Sequence, residues 1–187
     1  MGRIVVTEFI SLDGVVQAPG GEDFKYPNWS FEIDRGPAGE KYKEDEALGS
    51  AALLLGRRTY DGFASAWPQM EGELADKYNG MPKYVVSRTL TDPAWNNTTV
   101  LSGDLDSEVD RLKSEVDGEI SVPGSIQLVQ GLLERDLVDE LHLMTFPVML
   151  GTGRKLFAET TDKSRWHLAE PTVYGDGVLL TVYRRAA

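Results

Sequence analysis

The stretch 51–63, AALLLGRRTYDGF, constrains this chain more than any other part of it. Apolar residues run into Gly56, then Arg57, Arg58 and Thr59 follow, then Tyr60, Phe63 and Ala64 recur at helical spacing. That pattern is a buried strand feeding directly into a helix through a tight turn at Gly56. The first amides of a helix lack intrahelical partners and carry the positive end of its dipole, so such a turn is a ready anion site. Arg57 and Arg58 add full positive charge at the same spot. An ordinary strand–helix junction with solvated arginines has the same local pattern, so the rest of the chain must decide.

The balance of 19 basic and 30 acidic residues gives a net charge of −11. A field of that sign repels nucleic acid and anionic membranes, and neither is an expected partner. It also gives a local arginine cluster more weight, because the anion it attracts must overcome the general repulsion. With no cysteine, disulfides, thiol catalysis and thiolate metal sites are excluded. His142 and His167 stand alone, which argues against a metal site. The start, MGRIVVTEF, carries no secretory pattern, and no apolar run reaches membrane-spanning length. A cytoplasmic protein is expected, with the 187 residues forming one domain with a substantial core.

Strands are expected over 3–10, 51–55, 83–87 (KYVVS), 98–101, 119–122 and 141–146. Helices are expected over 37–48, after Gly56, over 104–117 and over 125–136. In 104–117, Leu105, Val109, Leu112 and Val116 share a face, aspartates crowd the start and Gly118 follows the end. The first helix, 37–48, is charged with a thin apolar stripe and is expected to be exposed. Residues 15–35 read as a long irregular loop, a length that usually marks a lid or binding loop. Segments 165–174 and 178–184 around Gly175-Asp176-Gly177 read as a hairpin. The alternation implies an α/β fold: a mostly parallel central sheet, helices on both faces and a C-terminal antiparallel hairpin.

Ligands of such sheets bind outside the carboxyl ends of the strands. Three strand ends carry suitable groups: Gly56-Arg57-Arg58-Thr59, Ser87-Arg88, and Pro123-Gly124-Ser125 opening the helix IQLVQGLLERDLV. Arginine suits an additional phosphate because its planar fork makes bidentate charge-assisted bonds. No GxxxxGK[ST] is present and no GxGxxG follows the first strand, so a P-loop hydrolase and a standard Rossmann site are excluded.

Taken in order, SLDGVVQAPGG, LLLGRRTYDGF, YVVSRTL and VPGSIQLVQGLLERDLVDELHLMTFPVMLGTGRKLF resemble the dihydrofolate reductase-like superfamily. The branch is the one akin to the reductase domain of the bacterial riboflavin-biosynthesis deaminase/reductase, and the resemblance covers nearly the whole chain. It implies NADPH binding and hydride transfer to a small-molecule substrate. Carried over by position, Gly56, Arg57, Arg58 and Thr59 bind the adenosine side and pyrophosphate, with Arg58, Ser87 and Arg88 around the 2′-phosphate. Gly124, Ser125, Ile126, Gln127 and Leu128 hold the pyrophosphate and nicotinamide ribose. Phe9 and Ile10 present backbone to the carboxamide, and Asp13 to Gln17 form a mobile loop over the nicotinamide. Ser125 and Ile126 stand where the family usually shows glycine, and Pro123 is a further departure.

Hydride transfer to a C=O or C=N bond also calls for a proton donor. The family's acid on the helix before the second strand corresponds to Glu40, in GPAGEKYKEDE, a segment whose acids also suit a solvated face. Asp13 is the second candidate acid, with turn-fixing as its alternative. Glu8, inside an apolar strand, needs a partner or a function. Trp29, Tyr60, Phe63 and Trp67 suit either a heterocycle's pocket or the core. The resemblance also implies a homodimer, and apolar strands such as LHLMTFPVML invite pairing or cover. A non-catalytic nucleotide-binding or dimerisation protein on the same fold is the alternative.

Overall fold

A computed structural model describes residues 1–21, 23–157, 159, 163–169 and 171–186. Its strands are β1 (Arg3–Ser11), β2 (Ala52–Gly56), β3 (Lys83–Val86), β4 (Thr98–Leu101) and β5 (Glu119–Pro123). They continue with β6 (Glu140–Phe146), β7 (Trp166–Leu168), β8 (Thr172–Tyr174) and β9 (Val178–Arg185). The helices are α1 (Gly36–Gly49), α2 (Arg57–Ala66), α3 (Glu73–Gly80), α4 (Leu105–Glu115) and α5 (Ile126–Glu134). All the strands join one nine-stranded sheet in the order β4-β3-β2-β5-β1-β6-β9-β7, with β8 also paired to β9. Every pairing from β4 through to β6 is parallel, and β9 closes the sheet antiparallel to β6, β7 and β8.

Strand alternation divides the core between the two faces. Ile4, Val6, Ile10 and Leu54 pack against Val109 and Leu112 of α4 and Val129 and Leu132 of α5. Leu53 and Leu55 face the other way, onto Tyr60, Met81 and Trp95. Met144 and Phe146 pack with Val15 and Trp29, so the irregular segment after β1 contributes to the core itself. Tyr60, Phe63 and Trp67 are core and core-edge aromatics too. The expected hairpin strand over 165–174 is instead two short strands, β7 and β8. Pro171, which has no N–H to give a ladder, lies between them.

Helix α1 is held by polar groups rather than by an apolar stripe; among its residues only Gly39 and Ala47 are fully buried. Its Glu46 side chain is 6% exposed and lies inside a hydrogen-bonded cluster. Thr7 Oγ1 donates to Glu46 Oε2 at 2.8 Å, and His142 Nδ1 lies 2.7 Å from Glu46 Oε1. The Lys43 ammonium reaches Thr7 Oγ1 at 2.5 Å and pairs with Glu46, and the Tyr42 hydroxyl donates to Glu46 at 3.3 Å. His142 Nε2 lies 3.3 Å from Glu140, which pairs in turn with Arg3. The expected exposed helix is therefore docked through a buried charge seam. Sequence periodicity carries no sign of such a seam.

Burial alone would raise the Glu46 carboxyl, but the Lys43 charge and the hydrogen bond from His142 outweigh it and hold the group down at about 2. Desolvation opposes the imidazolium of His142, and the bonds and charge of Glu46 and Glu140 overcome it, so its pKa is raised.

A second buried charge explains a helix that the sequence pattern does not disclose. Lys83, the first residue of β3, is 0% exposed. Its ammonium donates to the carbonyls of Tyr78 at 2.7 Å, Asn79 at 3.2 Å and Met81 at 2.8 Å, and lies 4.4 Å from the centroid of Trp95. A cation thus closes the C-terminal end of α3, where free carbonyls and the negative end of the helix dipole meet. Desolvation brings its pKa down to about 8.

Two outcomes follow from these charges. The depressed Glu46 contributes stability above its ordinary value of 4.5 that is lost as pH falls toward 2. The raised His142 contributes stability below 6.5 that is lost as pH climbs through its folded value. Urea unfolding should therefore show a maximum near pH 5 to 6, with decline already visible at pH 8; Glu46→Gln should lower it by about 3 kcal/mol. A wild-type profile flat from pH 5 to 8 would contradict the charged pair. Lys83→Met, which leaves its carbonyl acceptors unpaired, should cost about 2–4 kcal/mol in the same measurement, whereas a loss below 0.5 kcal/mol, the size of an ordinary surface change, would show the ammonium to be dispensable.

Candidate functional site

The carboxyl edge of the sheet is shaped by unequal strand lengths. β5 pairs with β1 only as far as Thr7, opposite Pro123, whereas β6 follows β1 to Ser11. Beyond Thr7 the β5 side of β1 therefore has no strand beside it, and the backbone of Phe9 and Ile10 borders a gap. The turn Gly124-Ser125 sits at the start of that gap, the Gly124 amide donating to the Thr7 carbonyl at 3.4 Å. Gly124 has φ +73°, a left-handed value natural to glycine, and Ser125 follows with φ 74°.

The turn also joins the two helix N-termini that the sequence marks. The Gly56 amide donates to Ser125 Oγ at 2.8 Å, and a Cβ placed on Gly56 would stand 3.2 Å from Ser125 Cβ. A Cβ on Gly124 would lie 3.9 Å from Thr59 Oγ1. The starts of α2 and α5 are thus side by side. Ser125 spends its hydroxyl on Gly56, and neither helix has a side-chain cap, so their first-turn amides stay open. By contrast, Asp104 caps α4 through the Ser107 amide at 3.2 Å. Ile126 and Leu128 turn their side chains into the core, which leaves them only backbone to offer at the edge, while Gln127 is exposed.

Charge at this edge is selective. Arg57 is paired with Asp61 at 2.9 Å, an i,i+4 contact along α2. Arg58 and Arg88 are both exposed, and neither has an acidic partner among the described residues. Two unpaired arginines in a chain of net charge −11 are an exposed claim on an anion. Ser87 Oγ accepts from the amides of Thr89 at 3.3 Å and Leu90 at 3.1 Å, and so shapes the turn that carries Arg88. Beside it opens a cleft of about 450 Å³, walled by Val86, Leu101 and Leu105 with Arg88, Asp104 and Arg135 at its polar margin. Arg135 has no motif around it that sequence reasoning could have used.

Both candidate acids are engaged by other groups. Asp13 accepts from Ser11 Oγ at 2.6 Å, the Leu150 amide at 3.1 Å and the Gly151 amide at 2.8 Å. The Ser11 hydroxyl, then the Leu150 amide, draw its carboxyl down to about 2, and the group clamps the turn after β1 to residues 150 and 151. Gln17 is engaged as well: its Oε1 accepts from the Arg154 amide at 3.0 Å and its carbonyl from Trp29 Nε1 at 2.8 Å. With the Val15–Lys155 bridge and the Val16–Arg154 and Leu156–Gly14 bonds, the segment expected to be a mobile flap is stitched to residues 150–156. Glu40 lies at the surface, paired with Arg35 at 2.6 Å, on the rim of a groove of about 330 Å³ that includes Ser30, Phe31, Asp34 and Asp176. The Arg35 guanidinium and Lys43 ammonium lie 4.8 Å and 5.4 Å from the Phe9 ring, and bring positive charge to the α1 side of the gap. Glu8 is buried in β1. Among the described residues no group of His, Asp and Glu is arranged to hold a metal ion, and no helix is long and apolar enough to cross a membrane.

The comparisons with known proteins agree with this architecture. YyaP of Bacillus subtilis (strain 168) is 25% identical over 194 residues, covering 97% of this chain and 94% of that protein. A Shewanella sp. PV-4 crystal structure, named as a riboflavin biosynthesis protein, superposes with a TM-score of 0.80 at 22% identity, over 99% of both chains. Dihydrofolate reductase from Enterococcus faecalis, solved with NADP(H), gives 0.64 at 14% identity, over 99% of this chain and 97% of that one. The fold is accordingly dihydrofolate reductase-like. Residues 3–180 match the RibD C-terminal domain model, and the chain belongs to that family.

Proposed function

We propose that the chain is an NADPH-dependent reductase acting on a small heterocyclic or carbonyl/imine substrate. One observation carries the reading: uncapped N-termini of α2 and α5, locked together by the Gly56–Ser125 bond, share the carboxyl edge of the sheet with Arg58 and Arg88, which have no acidic partner among the described residues. A pyrophosphate suits the paired amides, and the close approach needs the bare Cα of Gly124. Arg58 and Arg88 meet the 2′-phosphate, the cleft beside Arg88 takes the adenosine, and the backbone of Phe9 and Ile10 holds the carboxamide at the gap in the sheet. When bound, the nicotinamide supplies the hydride, and the chain's own part is to orient it and to place the substrate between the gap and α1. The NADP(H) complex of the Enterococcus enzyme on the same fold supports the choice of cofactor.

A nucleotide-binding protein without turnover is the second reading. It is favoured by the state of the two candidate acids, Asp13 locked as a clamp and Glu40 paired on the rim. NADPH oxidation against pteridines, pyrimidinones and quinones separates the two. A homodimer also belongs to the first reading, although β6, the apolar strand that suggested it, is already paired on both edges by β1 and β9.

The cofactor assignment has a direct test. NADPH at about 100 times its dissociation constant should stabilise the protein by about 2.7 kcal/mol, and NADH at the same concentration by much less. Arg88→Ala and Arg58→Ala should each weaken NADPH about tenfold to hundredfold while leaving the melting temperature of the free protein and the NADH affinity nearly unchanged. Equal thermal shifts from both cofactors would move these arginines off the 2′-phosphate. No shift from either would overturn the reading itself.

A further inference from the structure

Arg135 closes α5 and lines the same cleft as Arg88, yet the two guanidinium groups are held in opposite ways. Arg88 has no acidic partner among the described residues. Arg135 is tied along its edge: Nε lies 3.3 Å from Asp106, Nη1 lies 3.8 Å from Glu134, and Nη1 donates to the Gly131 carbonyl at 2.9 Å. Its charge is therefore partly balanced, and its in-plane donors are partly used. The side chain keeps 43% of its surface exposed.

The guanidinium lies against Gly131. Glycine is disfavoured inside a helix, and here it leaves a shallow notch. A Cβ at that position would touch both neighbours, 3.6 Å from Arg135 Nη1 and 3.7 Å from Leu105 Cδ2. Leu105, Leu101 and Val86 supply apolar wall next to it. A planar cation fixed at its edge beside an apolar wall is a surface for a flat, electron-rich heterocycle.

On the proposed reading that the cleft holds the adenosine end of the cofactor, we propose that Arg135 is the platform on which the adenine ring stacks, and that the 2′-phosphate is left to Arg88 and Arg58. The division follows from charge. A phosphate dianion is drawn to the uncompensated guanidinium, whereas stacking needs a fixed plane and tolerates a balanced charge. Arg135 therefore contributes to every adenine nucleotide alike, and Arg88 only to those with a 2′-phosphate.

Isothermal titration of the free protein with 5′-AMP and with 2′,5′-ADP tests this without turnover, and displacement by NADPH places both probes in the cofactor site. Arg135→Ala should weaken both probes by the same factor, about threefold to tenfold. Arg135→Lys should fail to rescue, because it restores the charge without the plane. Arg88→Ala should weaken 2′,5′-ADP alone. Rescue by Arg135→Lys, a loss confined to 2′,5′-ADP in Arg135→Ala, or unchanged affinities in both Arg135 variants would each overturn the platform while leaving NADPH binding in place. Wild-type protein that binds neither probe nor NADPH would overturn the reading of the cleft as well.

Discussion

The hydrogen bond from the Gly56 amide to Ser125 Oγ fixes the geometry on which the whole edge depends. It ties the end of β2 to the start of α5, across β5, and brings two helix N-termini into one patch. The bond also removes the serine hydroxyl from its usual use. A serine at a helix start normally caps its own first turn; here it satisfies a neighbouring amide and leaves the helix uncapped. Helix α4, close by, is capped by its own Asp104. The starts of α2 and α5 are thus left without a side-chain cap, unlike that of α4. A side chain on Gly56 would crowd Ser125, with its Cβ 3.2 Å from the serine Cβ, so the glycine eases the close approach of the serine.

Helix α1 shows a different solution to the same need to join layers. An amphipathic helix docks by burying a stripe, roughly 25 cal/mol per Å² of apolar area. α1 lacks the stripe and is held instead by Glu46, Lys43 and Tyr42 against Thr7 and His142. Buried ion pairs give little net stability, since desolvation consumes most of the attraction, but breaking one leaves an uncompensated charge. The arrangement thus specifies the position of α1 more than it strengthens the fold. Position matters here, because α1 and the segment before it carry Lys43 and Arg35 to the Phe9 ring, at the open end of β1.

The layers of the fold were legible because they rest on periodicity. The leucine run at 53–55, the valines of 85–86 and the four-residue spacing in α4 and α5 mark buried faces directly. Helix α3 was not legible. Its sequence, ELADKYNG, has no stripe, and its end is closed by a lysine three residues beyond it in β3. The charge seam was hidden for a related reason: Glu46 and His142 are 96 positions apart, and only the fold brings them together. At the edge, glycines and arginines marked the turns correctly, because backbone conformation and dipole act locally. The part played by Asp13 was ambiguous in sequence, since a carboxylate after a strand suits a turn or an acid equally well, and its partners at Leu150 and Gly151 lie far along the chain.

Net charge and local charge then act at different ranges. At physiological salt the screening length is about 8 Å, so most of the acidic surface is not felt at a given point of the edge. What an approaching phosphate meets is the nearest shell, and there the chain has spent its acids unevenly. Arg57 is neutralised by Asp61, and Arg135 is balanced by Asp106 and Glu134. Arg58, at the start of α2, and Arg88 have no acidic partner among the described residues. An acidic protein can present a cationic site in this way without becoming a general binder of polyanions. A nucleic acid strand spans many screening lengths and meets the −11 background, while a phosphate meets only the shell that the sheet edge arranges around it.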